Sequence, residues 1–463
     1  MRPSLLFSAL VGCCAAALSL SAQAFCGFYV GKADTTLFNE ASQVIVARDG
    51  GRTVISMQND YRGDLREFAL VVPVPTVLRQ GQVNIGDKRI FDRLDAYSAP
   101  RLTEYNDESP CNRRRYESSD MMRSAPAAGA AVEQRVMRKS LGVTVEASYS
   151  VGEYDIVILS AKESDGLETW LKENGYRMPR GAGRALAPYI RQNMKFFVAK
   201  VNLQEQAASG FSTLRPLQFA FESDKFMLPL RLGMINAHGP QDLIVYMLTR
   251  NGRVETTNYR TIKLPADMDL PTYIKGDFGG FYKAMFKAQA EKDGNRAVYT
   301  EYFWDMSWCD PCAANPLSLQ ELRQAGVFWQ GGPQGDSNNG FAPSRSVPMP
   351  QGAAQVMLTR LHVRYTPDTF PEDLSFQETA DRSNFQARYV LRNPWNGSVN
   401  DCPEARNYFQ QLRTRQEKEA RQLASLTGWE LNSIRNRMDM RPAGDYGGSG
   451  GSDGGGGWWP WRN

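Results

Sequence analysis

The chain is 463 residues long, enough for two or three domains at roughly 100 to 200 residues each, which excludes a mini-protein. Hydrophobic residues make up 42% and charged residues 22%, with 40 Gly and 25 Pro, so ordinary cores are expected beside looser segments. The formal charge of +4 is too small to imply nucleic-acid binding, and two histidines, His238 and His362, are too few for a multi-histidine metal centre.

Residues 1–24 have the layout of an export leader: Arg2, an apolar run from Leu5 to Leu20, and Ala22-Gln23-Ala24 as a small-x-small cleavage site. The apolar run is short for the roughly 20 residues of a spanning helix. Leu10-Val11-Gly12-Cys13 also resembles a lipoprotein box with Cys13 acylated, but it would leave an unusually short apolar segment before the cut. The mature chain is therefore expected to be periplasmic or extracellular, beginning at Phe25, with net charge 4 − 1 = +3. Removing Cys13 and Cys14 from seven cysteines leaves five: Cys26, Cys111, Cys309, Cys312 and Cys402. In an oxidising compartment that number predicts two disulfides and one free or intermolecular thiol, with the pairing open.

Residues 25–111 form a strand-rich part. Val44 to Val46 and Thr53 to Met57 flank Asp49-Gly50-Gly51 and predict a hairpin. Phe68 to Val72 is an apolar strand that ends there or lies at an edge beyond it, because Pro73 and Pro75 cannot donate to a ladder. Residues 112–139, with Arg113-Arg114-Arg115 and an Ala/Gly stretch, read as a solvated mobile loop.

Residues 140–265 are expected to share a core with 25–111. They contain a strand at Tyr154 to Leu159 and a helix with Leu167, Trp170 and Leu171 on one face. A second helix lies near Leu186 to Asn193, and a strand runs from Lys195 to Val201. Leu243 to Leu248 and Val254 to Tyr259 flank Asn251-Gly252, a strong hairpin signal. Residues 266–430 read as a second α+β part. Phe278, Phe281, Tyr282, Met285 and Phe286 predict an amphipathic core helix over 278–292. A strand Ala297 to Trp304, a helix near Leu317 to Ala325, a strand Val356 to Tyr365 and a long polar helix from Glu404 to Thr427 follow. Residues 431–463 are expected to be a disordered Gly/Trp-rich tail, making at most a weak membrane-interface contact through Trp458, Trp459 and Trp461. The fold class predicted is α+β, mainly antiparallel sheets with short packing helices and one long C-terminal helix.

Trp308-Cys309-Asp310-Pro311-Cys312 carries the most chemistry. Two thiols separated by two residues near a helix start suit thiol-disulfide exchange, with Cys309 as nucleophile and Cys312 as resolving thiol. No thioredoxin-like βαβ scaffold surrounds them, so a static disulfide is preferred, either between the two or from one of them to Cys402. Cys309, Cys312, Cys402 and His362 have the side chains of a zinc site but lack a second CxxC or a CxxH, so no metal and no cofactor are expected. His362 reads as an ordinary strand residue and His238 as a turn residue. Metalloprotease, nucleophile-elbow, phosphate-loop and dinucleotide signatures are absent.

Several stretches resemble the bacterial domain of unknown function 2330 (DUF2330): Phe25-Cys26-Gly27-Phe28-Tyr29-Val30, Glu67 to Pro75, Leu94-Asp95-Ala96-Tyr97-Ser98-Ala99-Pro100-Arg101-Leu102, Trp170 to Tyr176, Trp308 to Cys312 and Cys402-Pro403. The likeness spans residues 25 to about 430 and implies an exported protein without an established activity. Some relatives look anchored by a C-terminal hydrophobic helix; this sequence departs there with a Gly-rich stretch and a Trp cluster, so stable anchoring is not expected. The expectation is an exported structural or binding component of the cell envelope. A thiol-disulfide oxidoreductase and a hydrolase with acidic residues that the sequence leaves unidentified are the alternatives.

Overall fold

The computed structural model describes residues 28–31, 38–62, 68–111, 143–162, 164–174, 176, 181–202, 204–205, 214–235, 239–308, 310, 314–330 and 355–438. Strands β1 (Phe28–Gly31), β2 (Phe38–Asp49), β3 (Arg52–Arg62), β4 (Phe68–Val74), β5 (Val83–Ile85) and β6 (Arg101–Asn106) come first, with the helix Lys88–Ser98 between the last two. β7 (Val143–Val151) and β8 (Tyr154–Ala161) precede the helices Ser164–Glu173 and Ala182–Arg191. Next are β9 (Lys195–Val201), β10 (Leu217–Glu222), β11 (Met227–Leu228), β12 (Gln241–Thr249), β13 (Val254–Thr256), β14 (Arg260–Lys263) and β15 (Met268–Leu270). The helix Phe278–Lys292 leads to β16 (Ala297–Asp305) and the helix Leu319–Gln324. The chain then forms β17 (Met357–Tyr365), β18 (Leu374–Glu378), β19 (Phe385–Gln386), β20 (Arg388–Asn393) and the helices Pro403–Thr427 and Leu431–Arg437.

Two sheets make the centre. One is five-stranded in the order β1-β4-β9-β8-β7; the other runs β14-β16-β17-β12-β2-β3-β10-β5, with β19 beside β16. Most pairs are antiparallel, and β12 with β2 and β14 with β16 are parallel. The sheets face each other: Leu70, Ile156 and Phe197 of the first share a core with Val44, Phe219 and Val245 of the second. Outside the five-stranded sheet, Val71, Leu159 and Phe196 pack on Leu167, Leu171 and Leu186 of two helices. Outside the larger sheet, the helices Lys88–Ser98 and Leu319–Gln324 cover one half, and the helices Phe278–Lys292, Pro403–Thr427 and Leu431–Arg437 cover the other. The result is four layers, helix on sheet on sheet on helix, the α+β class expected. Burial on both faces explains the continuous run Leu243 to Leu248: its alternate residues enter cores on opposite sides of the sheet.

Local chemistry sets most elements. The β2–β3 hairpin turns through Gly50 at φ 57, and the Leu319 helix starts with a capping box between Ser318 and Glu321. β4 runs on to Val74, past the Val72 limit, through Pro73. Among the described residues β1 pairs with it only as far as Val71 while β9 continues, so Pro73 sits where one neighbour remains. The aromatic helix spans Phe278–Lys292, with Phe281, Met285 and Phe286 buried.

Three expectations need correction. Asn251-Gly252 does not close a hairpin. β12 already has β17 on one side and β2 on the other, so β13 leaves to pair with β18. Glu378 accepts the backbone N–H groups of Asn251 and Gly252, and a Cβ on Gly252 would lie 2.1 Å from the carbonyl oxygen of Thr379. The boundary drawn between 265 and 266 falls inside the larger sheet, because β14 and β17 lie on opposite sides of it in sequence and both pair with β16. The tail drawn from 431 begins with the helix Leu431–Arg437, which Glu430 caps and whose Ile434 is buried. The 112–139 loop and Trp458, Trp459 and Trp461 lie outside the described residues.

Candidate functional site

The largest concentration of buried charge lies on the outer face of the nine-stranded sheet, at the seam between the two helix-covered cores. β17 alternates, and Arg360, His362 and Arg364 project from one face of it. Their neighbours Leu361 and Val363 enter the intersheet core. β16 supplies the carboxylate through a bulge: Thr300 pairs with Leu361 and Tyr302 with Arg360, leaving Glu301 as the extra residue. The bulge turns Glu301 and Tyr302 toward the same helix-covered side, where regular pleating would separate them.

The resulting chain of charges alternates in sign. Asp95, on the Lys88–Ser98 helix, accepts from Arg360 Nη1 at 2.7 Å, and Arg360 Nε donates to Glu301 Oε2. Glu301 Oε1 lies 2.7 Å from His362 Nδ1 and accepts the hydroxyl of Tyr282. His362 Nε2 faces Asp242 Oδ1 at 3.4 Å, an ion-pair contact without hydrogen-bond alignment, because Asp242 is held by Arg364 at 2.6 and 2.8 Å. Tyr246 closes the other end, donating toward Asp95 at 3.2 Å, and His362 stacks on Phe286 with centroids 3.7 Å apart. Three carboxylates face two guanidiniums and one imidazole, so the chain is neutral when His362 is protonated.

The electrostatics follow. Burial pushes the His362 imidazolium toward deprotonation, but Glu301 and Asp242 outweigh it and hold its pKa above the ordinary value. Burial raises Glu301, yet Arg360 and His362 bring it down to about 2. A group with a raised folded pKa adds stability that is complete below the unfolded value, about 6.5 for His, and lost as pH rises through the folded one. The urea midpoint of the wild type is accordingly expected to fall more steeply than that of His362→Gln as pH rises above about 6.5. Parallel pH profiles for the two proteins would show that His362 is not protonated in the fold.

The centre of this cluster is closed to solvent, with Glu301 0% and Arg360 2% exposed, while Asp95, Asp242 and Arg364 at its ends are partly exposed. It is a structural spine, and it corrects the reading of His362 as an ordinary strand residue. The signal was present in Arg360-Leu361-His362-Val363-Arg364, where cations recur with period two in a buried strand. Glu301 carried no signal, because a bulge is set by pairing.

Among the described residues, an accessible concavity lies elsewhere, at the end of the sandwich where β4 and β10 finish and β9 begins. An opening of about 250 Å³ between the sheets is walled by Met57, Val72, Phe219, Phe221 and Leu228, with Gln192, Ser223, Asp224 and Lys225 at its mouth. Gln192, Lys225 and Met227 also border an adjoining cleft of about 500 Å³ lined by Arg231, Asn258 and Asp373.

Of the cysteines, Cys111 and Cys402 are bonded, with Cα atoms 5.8 Å apart. That pairing overturns a bond from Cys309 or Cys312 to Cys402, and it removes Cys402 from the four zinc side chains, whose His362 lies in the ionic spine. Cys13, Cys26, His238, Cys309 and Cys312 lie outside the described residues. Trp308, just before the CxxC motif, is exposed, and Asp310, within it, is buried, accepting from Tyr302 and from Gln386 Nε2 at 2.9 Å.

Fold and site together define a four-layer α+β sandwich with an ionic spine and an apolar opening between its sheets. The family described as an uncharacterized protein conserved in bacteria, DUF2330, matches residues 20–377, and the chain belongs to it. The match stops short of the expected 430, so Cys402-Pro403 lies beyond it. No curated protein and no solved structure matches the chain.

Proposed function

We propose that this protein is an exported component of the bacterial cell envelope that binds or supports and does not catalyse. The contrast between its two polar regions carries the reading. The centre of the charge chain, Glu301, Arg360 and His362, is buried, and the opening between the sheets is largely apolar with a few polar groups at its mouth, the make-up of a binding site. The leader-like residues 1–24 and the Cys111–Cys402 bond support a place outside the cytoplasm. Among the described residues no helix is long and apolar enough to cross a membrane.

Cell fractionation with N-terminal sequencing tests the location. The expected product starts at Phe25 and is recovered outside the cytoplasm with Cys111 and Cys402 unreactive to thiol reagents. A cytosolic product that starts at Met1, with both thiols titratable, would overturn the proposal. Turnover of a model disulfide that depends on Cys309 would move the reading to the oxidoreductase.

A further inference from the structure

We propose that the opening between the sheets binds a single-chain anionic amphiphile, its hydrocarbon tail lodged between the sheets and its head held by Lys225 and Arg231. This deepens the binding reading above and rests on it.

The tail compartment follows from the walls. Met57, Phe219 and Phe221 come from the larger sheet, Val72 from the smaller, and Leu228 from the short strand β11. These side chains offer no hydrogen bond to a guest, so a polar molecule entering there would lose its hydration without return. The space of about 250 Å³ is many times the roughly 10–15 Å³ that holds one water, room for an alkyl chain, and an eight-carbon chain is the length chosen to test it.

The head compartment follows from the donors left over. Lys225 Nζ donates to Gln192 Oε1 at 2.8 Å across the boundary between the two spaces. In the adjoining cleft, Asp373 is already committed: its Oδ1 accepts the backbone N–H of Leu230 and of Arg231 and the hydroxyl of Tyr189. Arg231 reaches that carboxylate only at 4.0 Å, and its Nε is buried without a hydrogen-bond partner. Asp224 and Glu372 also line these spaces; both are exposed, as is Lys225, and Glu372 Oε2 accepts from Asn258 Nδ2 at 3.4 Å. The buried donor left without a partner at the junction is Arg231 Nε. An anionic head satisfies it, whereas a cationic head would meet Lys225 and Arg231 directly.

Calorimetric titration of the purified chain with octanoate, octyl phosphate, butyrate and octyltrimethylammonium tests this. Octanoate or octyl phosphate is expected to bind, and the stronger of the two identifies the head as carboxylate or phosphate. Butyrate and octyltrimethylammonium are each expected to bind at least about tenfold more weakly. Ser223→Trp, which places an indole at the mouth, is expected to abolish binding, and Lys225→Glu to weaken it about tenfold, with both variants melting like the wild type. Absence of binding by both anionic amphiphiles, equal affinity for octyltrimethylammonium, or unchanged affinity in a folded Ser223→Trp variant would overturn the assignment. Each result is independent of where the protein is found in the cell, so failure here is distinct from failure of the export reading.

Discussion

Exchanging Glu301 for Gln is expected to cost about 3 to 5 kcal/mol of folding stability, the range for removing one partner of a buried ion pair. The substitution keeps the volume, so no cavity contributes. It removes the one negative charge that lies between Arg360 and His362, and Arg360 is itself only 2% exposed and retains Asp95 alone. Urea unfolding at neutral pH measures the loss. A companion variant that replaces Glu301, Arg360 and His362 together with apolar residues of similar size should recover much of it, because the desolvation of all three charges disappears with their attraction. The pH dependence has the opposite sign to that of His362. Glu301 has a lowered folded pKa, so its contribution is complete above about 4.5 and is lost as pH falls toward about 2. A Glu301→Gln protein as stable as the wild type at pH 7 would mean that the carboxylate gains nothing from its neighbours.

Breaking the Cys111–Cys402 bond should have an effect of similar size. The two cysteines are 291 residues apart, and a crosslink over so long a loop restricts the unfolded chain strongly; removal of a native disulfide typically costs about 2 to 5 kcal/mol. Cys111→Ser, Cys402→Ser and the double variant should show the same loss, since each removes the same bond. Reductant should lower the melting temperature of the wild type and leave that of the double variant unchanged. A wild type that melts identically with and without reductant would show that the bond adds no stability. The segment before Cys111 would still be tethered, because Asp107 accepts a two-point contact from Arg415 at 2.7 and 3.0 Å and the hydroxyl of Tyr408 at 2.6 Å.

Local patterns in the sequence were enough for most elements and not for their partners. The strand Lys195–Val201 and the helix Phe278–Lys292 appear where apolar periodicity puts them, because their spacing reflects burial of one or both faces. Asn251-Gly252 misled for the opposite reason. Its turn chemistry suits a hairpin, but β12 has no free side, and that depends on residues more than 100 positions away. The ionic spine shows the same limit. Arg360 and His362 lie in one strand and could be noticed, whereas Asp95, Asp242 and Glu301 come from three other elements. No short window contains the cluster, and the intersheet opening, built from four strands and the segments beside them, is less visible still.

The placement of β12 between β2 and β17 also bears on how the polypeptide acquires its shape. β2 pairs with a strand some 200 residues downstream, and β17 lies more than 100 residues beyond that. A nascent chain halted near residue 240 would carry a long apolar ribbon with an open flank, prone to sticking to other copies. Slow, late and concerted assembly is the expected kinetic signature of such wiring.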